Sequence, residues 1–307
     1  MLKTHRLHLL VALAQTGSIA SAARSLGCSA AAASEQLTAL EQDTGAQLLE
    51  RRPRSVRLTA AGELLVEHAR RILADLETAA QAVAAAGAAG QARLRVGAFA
   101  TAARRLAVPA LATLRRRHPR LQLSFVEIEP EAALPAVRAG EIDLAVTHRY
   151  AGFAEPDLRA LTQVPLFTEP LVLAVPAGLG PVEGSAVKLG AYAAADWVAN
   201  RADQGFQAVT ETAARLAGFE PRITCRVDSY HVVLDLVAAG MGVALVPRTA
   251  AAPRSGLRLL TVSAPRNLAR NVQMTTRTAD HSPAVAELSR ELTRRAATIA
   301  AAKTAAR

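Results

Sequence analysis

Arg51, Arg52, Arg54 and Arg57 fall within seven residues that hold no acid. Guanidinium groups so spaced suit phosphates, because each neutralised phosphate releases condensed counterions. By itself the run also reads as an ordinary solvated basic loop. Just before it, residues 18–42 (SIASAARSLGCSAAAASEQLTALEQ) carry the signals of two short helices meeting at a tight turn. Ser18 and Ser29 are each placed to cap a helix N-terminus, and Gly27 accepts the left-handed backbone at a helix end. Ile19, Ala22, Ala23 and Leu26 form one apolar stripe, and Ala33, Leu37 and Leu40 the next. The outward positions of the second helix are then Ala30, Ala31, Ser34, Glu35 and Thr38, with Ser18, Ser21 and Ser29 at the same approach. Small residues at its front let that end come close to a surface. In a helix-turn-helix this end enters the DNA major groove. There Ser34 is placed for contact, and Glu35 can accept from a cytosine amino group. A plain helical hairpin fits the same spacing; the arginines beside it favour DNA.

A second set of polar residues lies at strand ends. Strand 94–97 runs into Ala98-Phe99-Ala100-Thr101, where Thr101 can present its hydroxyl beside the amides of a helix start. A helix N-terminus favours negative charge, so a carboxylate or phosphate suits it. Ser229 and Tyr230 offer a similar start, Thr147 and His148 end a strand, and Asn200 and Arg201 lie at the end of the WVAN run. Thr101 and Ser229 serve equally as plain helix caps. Glu129 and Asp228 add negative charge, and an amino-acid-like ligand carrying both signs reconciles them with an anion site.

The elements that must position these residues come from patterning. At 307 residues the chain exceeds one compact core, so two or three domains are expected. Apolar residues make up 51% but aromatics only 3%, which leaves Ala, Leu and Val to build the core. No run of 18 apolar residues and no signal-peptide apolar region occur, so a soluble, cytoplasmic, nucleoid-associated protein with no membrane partner is expected. Cys28 and Cys225 give no disulfide framework or zinc spacing and are expected to be small core residues. The net charge of +10 is unevenly placed: residues 1–90 hold 9 Lys and Arg against 8 Asp and Glu, the remainder 27 against 18.

Residues 4–15 read as a helix with Leu7, Leu10, Val11 and Ala14 inward, stopped by Gly17. After the two helices above, Gly45 ends the second. Leu48 and Leu49 then start a hairpin that turns at Arg52-Pro53-Arg54 and returns through Val56 and Leu58, a wing tipped with arginine. Thr59 caps a long helix with a seam at Leu65, Ala69, Ile72, Leu76, Ala79, Val83 and Ala86, alternating by four and three as in a coiled coil. A helix of about 27 residues spans roughly 40 Å, more than so small a domain can cover, so a dimerisation helix is expected. The run AAAGAAG at 84–90 follows as a hinge.

Strands then alternate with helices. Strands at 94–97, 121–128 and 142–148 with helices between them imply a parallel sheet with ligand space at the strand C-termini. Strands at 171–176, 223–228, 243–247, 257–262 and 271–276 and helices near 206–217, 229–239 and 283–301 complete two α/β lobes, with the chain crossing near 162–166 and again near 264–269. Gly240-Met241-Gly242 is a helix-to-strand turn, since Leu245 stands where a dinucleotide fingerprint needs glycine. No nucleophile elbow, metalloprotease motif or P-loop occurs, and no catalytic residue, cofactor or metal site is expected.

The stretches GSIASAARSLG, Ser29, SEQLTALEQDTGAQLLER, RSVRLTAAGE and HARRILADLE resemble, in order and without gaps, the DNA-binding domain and linker helix of LysR-type transcriptional regulators. AGEIDLAVTH and AAGMGVALVP resemble the effector domain of the same family, which is similar to periplasmic binding proteins. Ala30, Ala31 and Glu35 depart from the family's usual polar residue, proline and basic or amide residue. The resemblance implies an α/β protein: a winged helix-turn-helix at 1–59, a linker and dimerisation helix with hinge at 60–90, and a two-lobed effector domain at 91–307. Lobe I would take about 91–164 and 268–307, and lobe II about 165–267. It implies a sequence-specific, non-enzymatic regulator controlled by a small molecule bound between the lobes, with double-stranded DNA bearing an inverted repeat, RNA polymerase and further copies of the chain, as homodimer or homotetramer, for partners. A binding protein or enzyme on the same α/β fold, oligomerised by its N-terminal helices, is the other reading.

Overall fold

The computed structural model describes residues 2–52, 55–86, 93–150, 155–182, 185–200, 208–251, 254–280 and 282–304. Side chains at 51, 52, 55, 78, 81, 82, 84–86, 208 and 301–304 lie outside that description.

Three helices, α1 (Thr4–Thr16), α2 (Ile19–Ser25) and α3 (Ala30–Thr44), precede a hairpin of β1 (Leu49–Arg52) and β2 (Ser55–Leu58). Local chemistry sets each boundary. The Ser18 hydroxyl accepts from the Ser21 amide and the Ser29 hydroxyl from the Ala32 amide, each filling an orphan donor at a helix start. Gly17 and Gly45 adopt the left-handed conformation as C-caps. Leu7, Leu10, Leu13, Ala22, Ala33, Leu37 and Leu40 close into one core, while Val11 and Ala14 are half-buried against it. The Glu41 carboxylate accepts from the Leu48 and Leu49 amides, fastening the hairpin to α3.

Thr59 caps α4 (Ala60–Ala86), its hydroxyl accepting from the Gly62 amide. This helix serves two neighbours in turn. Its first turns send Val66 and Ala69 into the N-terminal core, with Leu65 packed beside them. Leu65 and Ala69, expected in a seam between chains, are therefore core residues: three short helices leave an apolar face that only α4 covers. Farther along, Ile72, Leu76 and Val83 are exposed, and Ala79 faces solvent as well. Ala74 is buried against Gly140, where any added Cβ would sit 1.9 Å from the Ala74 methyl.

The rest of the chain forms two lobes around a composite sheet. Lobe I begins with β3 (Arg93–Ala98), α5 (Ala100–Ala102), a π-helical turn at Ala103–Ala107 and α6 (Val108–Arg117). It continues with β4 (Gln122–Glu127), α7 (Pro130–Arg138) and β5 (Leu144–Tyr150). β6 (Leu161–Pro176) then crosses into lobe II, which adds β7 (Ala186–Lys188), a 3-10 turn at Leu189–Tyr192, β8 (Asp196–Ala199), α8 (Ala208–Leu216) and β9 (Arg222–Arg226). α9 (Tyr230–Ala238), β10 (Ala244–Pro247) and β11 (Leu257–Ala264) complete that lobe. β12 (Ala269–Arg277) returns to lobe I, and α10 (Pro283–Thr304) closes it. The main sheet runs β4-β3-β5-β12-β6-β11-β7, with β10 also on β6, and β8 pairs β9 separately. β3, β4 and β5 are parallel, as patterning implies.

One expectation is sharpened and one corrected. The crossing near 162–166 is made within β6, one continuous strand of 16 residues paired with β12 in lobe I and with β10 and β11 in lobe II. Exposed residues at its first half break the apolar pattern that identified only 171–176. Cys28 is exposed in the turn between α2 and α3, and Cys225 is half-buried; a turn residue has no core to enter.

Candidate functional site

Two sites follow from this framework. At the N-terminal end, α3 presents Ala30, Ala31, Glu35 and Thr38 fully outward and Ser34 half-buried. The Ser18 hydroxyl donates to Ser21 Oγ, which also accepts from Arg24, so these three side chains tie down the front of α2. Arg51 and Arg52 are in β1 by backbone only; their side chains, and all of Arg54, lie outside the described residues.

The second site is a cavity of about 580 Å³ between the lobes. Its lining takes in Ala100, Thr101, Glu129, Asn200, Asp228, Ser229 and Tyr230 together, and adds Phe99, Arg104, Arg105, His231, Thr249 and Arg270. Arg201 lies outside the described residues. Thr147 and His148 are not on its wall. They are buried behind it on β5, Thr147 hydrogen-bonded to Thr275 and the His148 ring edge-on to Phe99 at 4.4 Å.

Arg270 organises the cavity floor. It sits on β12 directly opposite Glu169 on β6, and both side chains are buried to about 1% exposure or less. Its Nε and Nη2 donate to Glu169 Oε1 at 3.0 and 2.7 Å, and Nη2 also reaches Thr101 Oγ1 at 2.9 Å and Thr249 Oγ1 at 3.3 Å. Thr101 belongs to lobe I and Thr249 to lobe II, so one guanidinium holds both lobes. Glu169 Oε2 accepts from the Thr249 amide. The guanidinium lies 4.8 Å from the Phe99 ring centre. Among the described residues Nη1 of Arg270 has no hydrogen-bond partner although it is buried. A buried N–H left without an acceptor costs on the order of 1–3 kcal/mol, and a charged one more. A ligand acceptor would relieve it.

Burial raises the pKa of the nearby Glu129 carboxyl, opposed by the Arg270 charge. Its Oε2 is 3.5 Å from His148 Nε2, but this is no ion pair, because burial and then Arg270 hold His148 well below the usual imidazole range and hence neutral. Tyr150 and Tyr230 meet across the lobes, their hydroxyls 3.3 Å apart, and burial pushes the Tyr150 phenol up to about 12. The floor therefore offers a buried cation, a carboxyl whose pKa burial raises, and neutral hydroxyls. Ser229 makes no side-chain cap bond and is exposed to the cleft. Thr101 is capped over by Arg270 and spends its hydroxyl as an acceptor.

Two family models cover the chain: "Bacterial regulatory helix-turn-helix protein, lysR family" at residues 4–63 and "LysR substrate binding domain" at residues 87–297. The chain belongs to the LysR family of transcriptional regulators. Relatives include the small neutral protease regulatory protein of Streptomyces coelicolor, 32% identical over 84% of this chain and 78% of the relative. A probable hydrogen peroxide-inducible genes activator of Mycobacterium avium is 32% identical over 85% of this chain and 83% of its own. Among solved structures, full-length CbnR complexed with its target DNA is similar with a TM-score of 0.61 and 26% identity, covering 96% of this chain and all of CbnR. The regulator is thus a DNA-binding transcription factor with an effector-binding domain, and not an enzyme.

Sequence reasoning missed Arg270, Glu169, Thr249 and the cavity rim of Arg104 and His231. One signal was available: ARNVQM and EPLVLAV each begin an apolar strand with a charge, of opposite sign. Their pairing depends on a register that no local pattern gives.

Proposed function

We propose that the regulator reads an inverted repeat through paired copies of α3 and the wing, and that a small organic acid bound at the Arg270 floor controls it. The single observation that carries the effector half is the buried, unpartnered Nη1 of Arg270. A ligand carboxylate accepts there, while an adjacent ammonium or hydroxyl donates to Glu129, which makes an amino-acid-like or hydroxy-acid compound the fitting class. Thr101 and Thr249 orient the guanidinium from opposite lobes, so ligand engagement alters how tightly the lobes are held.

A route to the DNA end runs beneath lobe I. Glu77 of α4 meets Arg95 at 3.3 Å, Arg95 pairs with Asp143 at 2.8 Å, and Asp143 meets Arg277. Lobe movement is thereby felt by α4. The exposed stripe of Ile72, Leu76, Ala79 and Val83 is the surface on which two α4 helices pair, as homodimer or within a homotetramer. Ser34, Glu35 and Thr38 face the groove, with Ser18, Ser21, Ser29, Ala30 and Ala31 near the backbone and Arg51, Arg52 and Arg54 on phosphates. RNA polymerase in the cytoplasm is the further partner this role requires.

Selection from random duplexes tests the DNA half: an inverted repeat should emerge, and Glu35→Gln should change its preference at one position per half-site. Arg52→Ala and Arg54→Ala should each flatten the salt dependence by a slope of roughly one. For the effector half, Thr101→Val and Ser229→Ala should abolish the response to the inducer with basal operator binding retained. Normal induction in both variants overturns the cleft assignment.

A further inference from the structure

The excess positive charge of this regulator does not lie in its reading head. Residues 1–90 are nearly balanced, and the remainder carries 27 Lys and Arg against 18 Asp and Glu. Much of the excess gathers on one end of lobe I. Arg115, Arg116 and Arg117 form the last turn of α6, and Arg120 follows before β4. Arg290 lies beside them on α10, because Glu287, less than one turn earlier, reaches Arg117 and His118 at the end of α6. All five arginines are exposed. The two nearby acids are engaged: Glu287 as stated, and Glu291 by Arg294 and Arg295. Among the described residues Arg115, Arg120 and Arg290 form no ion pair.

Basic residues in a last helical turn complement the helix dipole, but that effect involves the terminal turn of one helix alone. It does not account for Arg120 and Arg290, which come from separate elements. Position adds to charge. α6 descends from the cleft to the N-terminal edge of the parallel strands, where Arg93 of β3 pairs with Gln122 of β4. The same edge docks the linker helix, through Glu77 to Arg93 and Ala74 against Gly140. Ala74 is 14 residues along α4 from Ala60, or roughly 20 Å at 1.5 Å per residue. The basic end thus faces away from the cavity between the lobes, on the β4 side of that edge, beyond where Glu77 meets Arg93.

We propose that this face, centred on Arg115, Arg120 and Arg290, is a second DNA contact that takes the phosphate backbone of duplex flanking the operator core, without reading sequence. A polyanion with regularly spaced charge is the occupant that several unpaired guanidiniums from separate elements fit best. Bound this way, flanking duplex is held against lobe I.

The test uses the full-length protein, a short duplex just covering the selected operator, and one extended by several helical turns of unrelated sequence. Wild type should bind the extended duplex more tightly, with a log–log salt slope steeper by about three, one per phosphate contact. The triple variant Arg115→Glu, Arg120→Glu, Arg290→Glu should lose that increment and keep wild-type affinity for the short duplex; the corresponding triple Gln variant should lose most of it. Arg266→Glu, an exposed charge reversal in the β11–β12 turn, should keep it. Equal binding of both duplexes by wild type, or an undiminished increment in the triple variant, overturns the proposal. A changed oligomeric state of the triple variant in sedimentation also overturns it, by making the face an interface between copies.

Discussion

The helix-turn-helix and the cavity between the lobes do opposite things with their residues. The proposed DNA-reading surface comes from one contiguous stretch, and every group it offers is local: Ser18 and Ser29 cap helices three residues away, and Ala30, Ala31, Ser34, Glu35 and Thr38 share one helix face. The cavity is assembled from six separate segments, and its central group, Arg270, touches a residue 101 positions away and another 169 away. The first surface works by staying exposed and geometrically fixed. The second works by burying charge and leaving part of it unsatisfied. A local site tolerates single changes; a buried network does not.

The largest effect that would sharpen this contrast is at Arg270. Arg270→Met leaves Glu169 charged and unpaired in the core and should cost about 3–5 kcal/mol in denaturant unfolding. The double variant with Glu169→Met should recover most of that stability yet remain deaf to effector. Full effector response in the double variant would mean that Arg270 is only structural.

Next comes the linker helix, whose two stretches differ in the same way. Ile72→Asp and Leu76→Asp place charge on the exposed stripe and should give folded monomers by sedimentation. Operator affinity should then fall by roughly two orders of magnitude as the heads bind singly. Ala69→Asp, one turn earlier, should instead unfold the N-terminal core. An intact dimer after both exposed changes would move the interface elsewhere.

Smaller still, Ser18→Ala should cost about 1 kcal/mol of stability in the N-terminal unit through the lost cap, measured by thermal unfolding. No effect on the cavity should accompany it.

The smallest effect is a pH dependence. Burial raises the Glu129 pKa on folding, so the protonated form stabilises the fold at low pH, and that contribution is lost as pH rises through the raised folded value. Glu129→Gln keeps the neutral form throughout. Its melting temperature should therefore exceed wild type near neutral pH, with the gap closing as the medium is acidified toward the ordinary glutamate range. A gap that widens on acidification would assign the Glu129 carboxylate a stabilising partner.

The same contrast explains what was legible. Caps, left-handed glycines and the Ala33-Leu37-Leu40 stripe lie within a few residues of one another, so the helix pair, the wing and the parallel βαβ run of lobe I follow from spacing. Thr101, Glu129, Asn200 and Ser229 were legible as strand-end positions, and the structure gathers them around one cavity, two from each lobe. Arg270 and Glu169 were not, since only antiparallel register across 101 residues makes them neighbours. Ala69 was misplaced for a related reason: a heptad pattern states which residues share a stripe but not which partner covers it.

Calorimetric titration with matched pairs of ligands tests the effector claim most directly. Small amino and hydroxy acids would be compared with their own carboxamides, on wild type and on Thr101→Val, with operator binding followed in parallel. The account predicts that at least one acid binds, that its carboxamide binds at least tenfold more weakly, and that Thr101→Val erases the difference along with the change at the operator. A carboxamide that binds as well as its acid and shifts operator binding equally would contradict an anion site at Arg270.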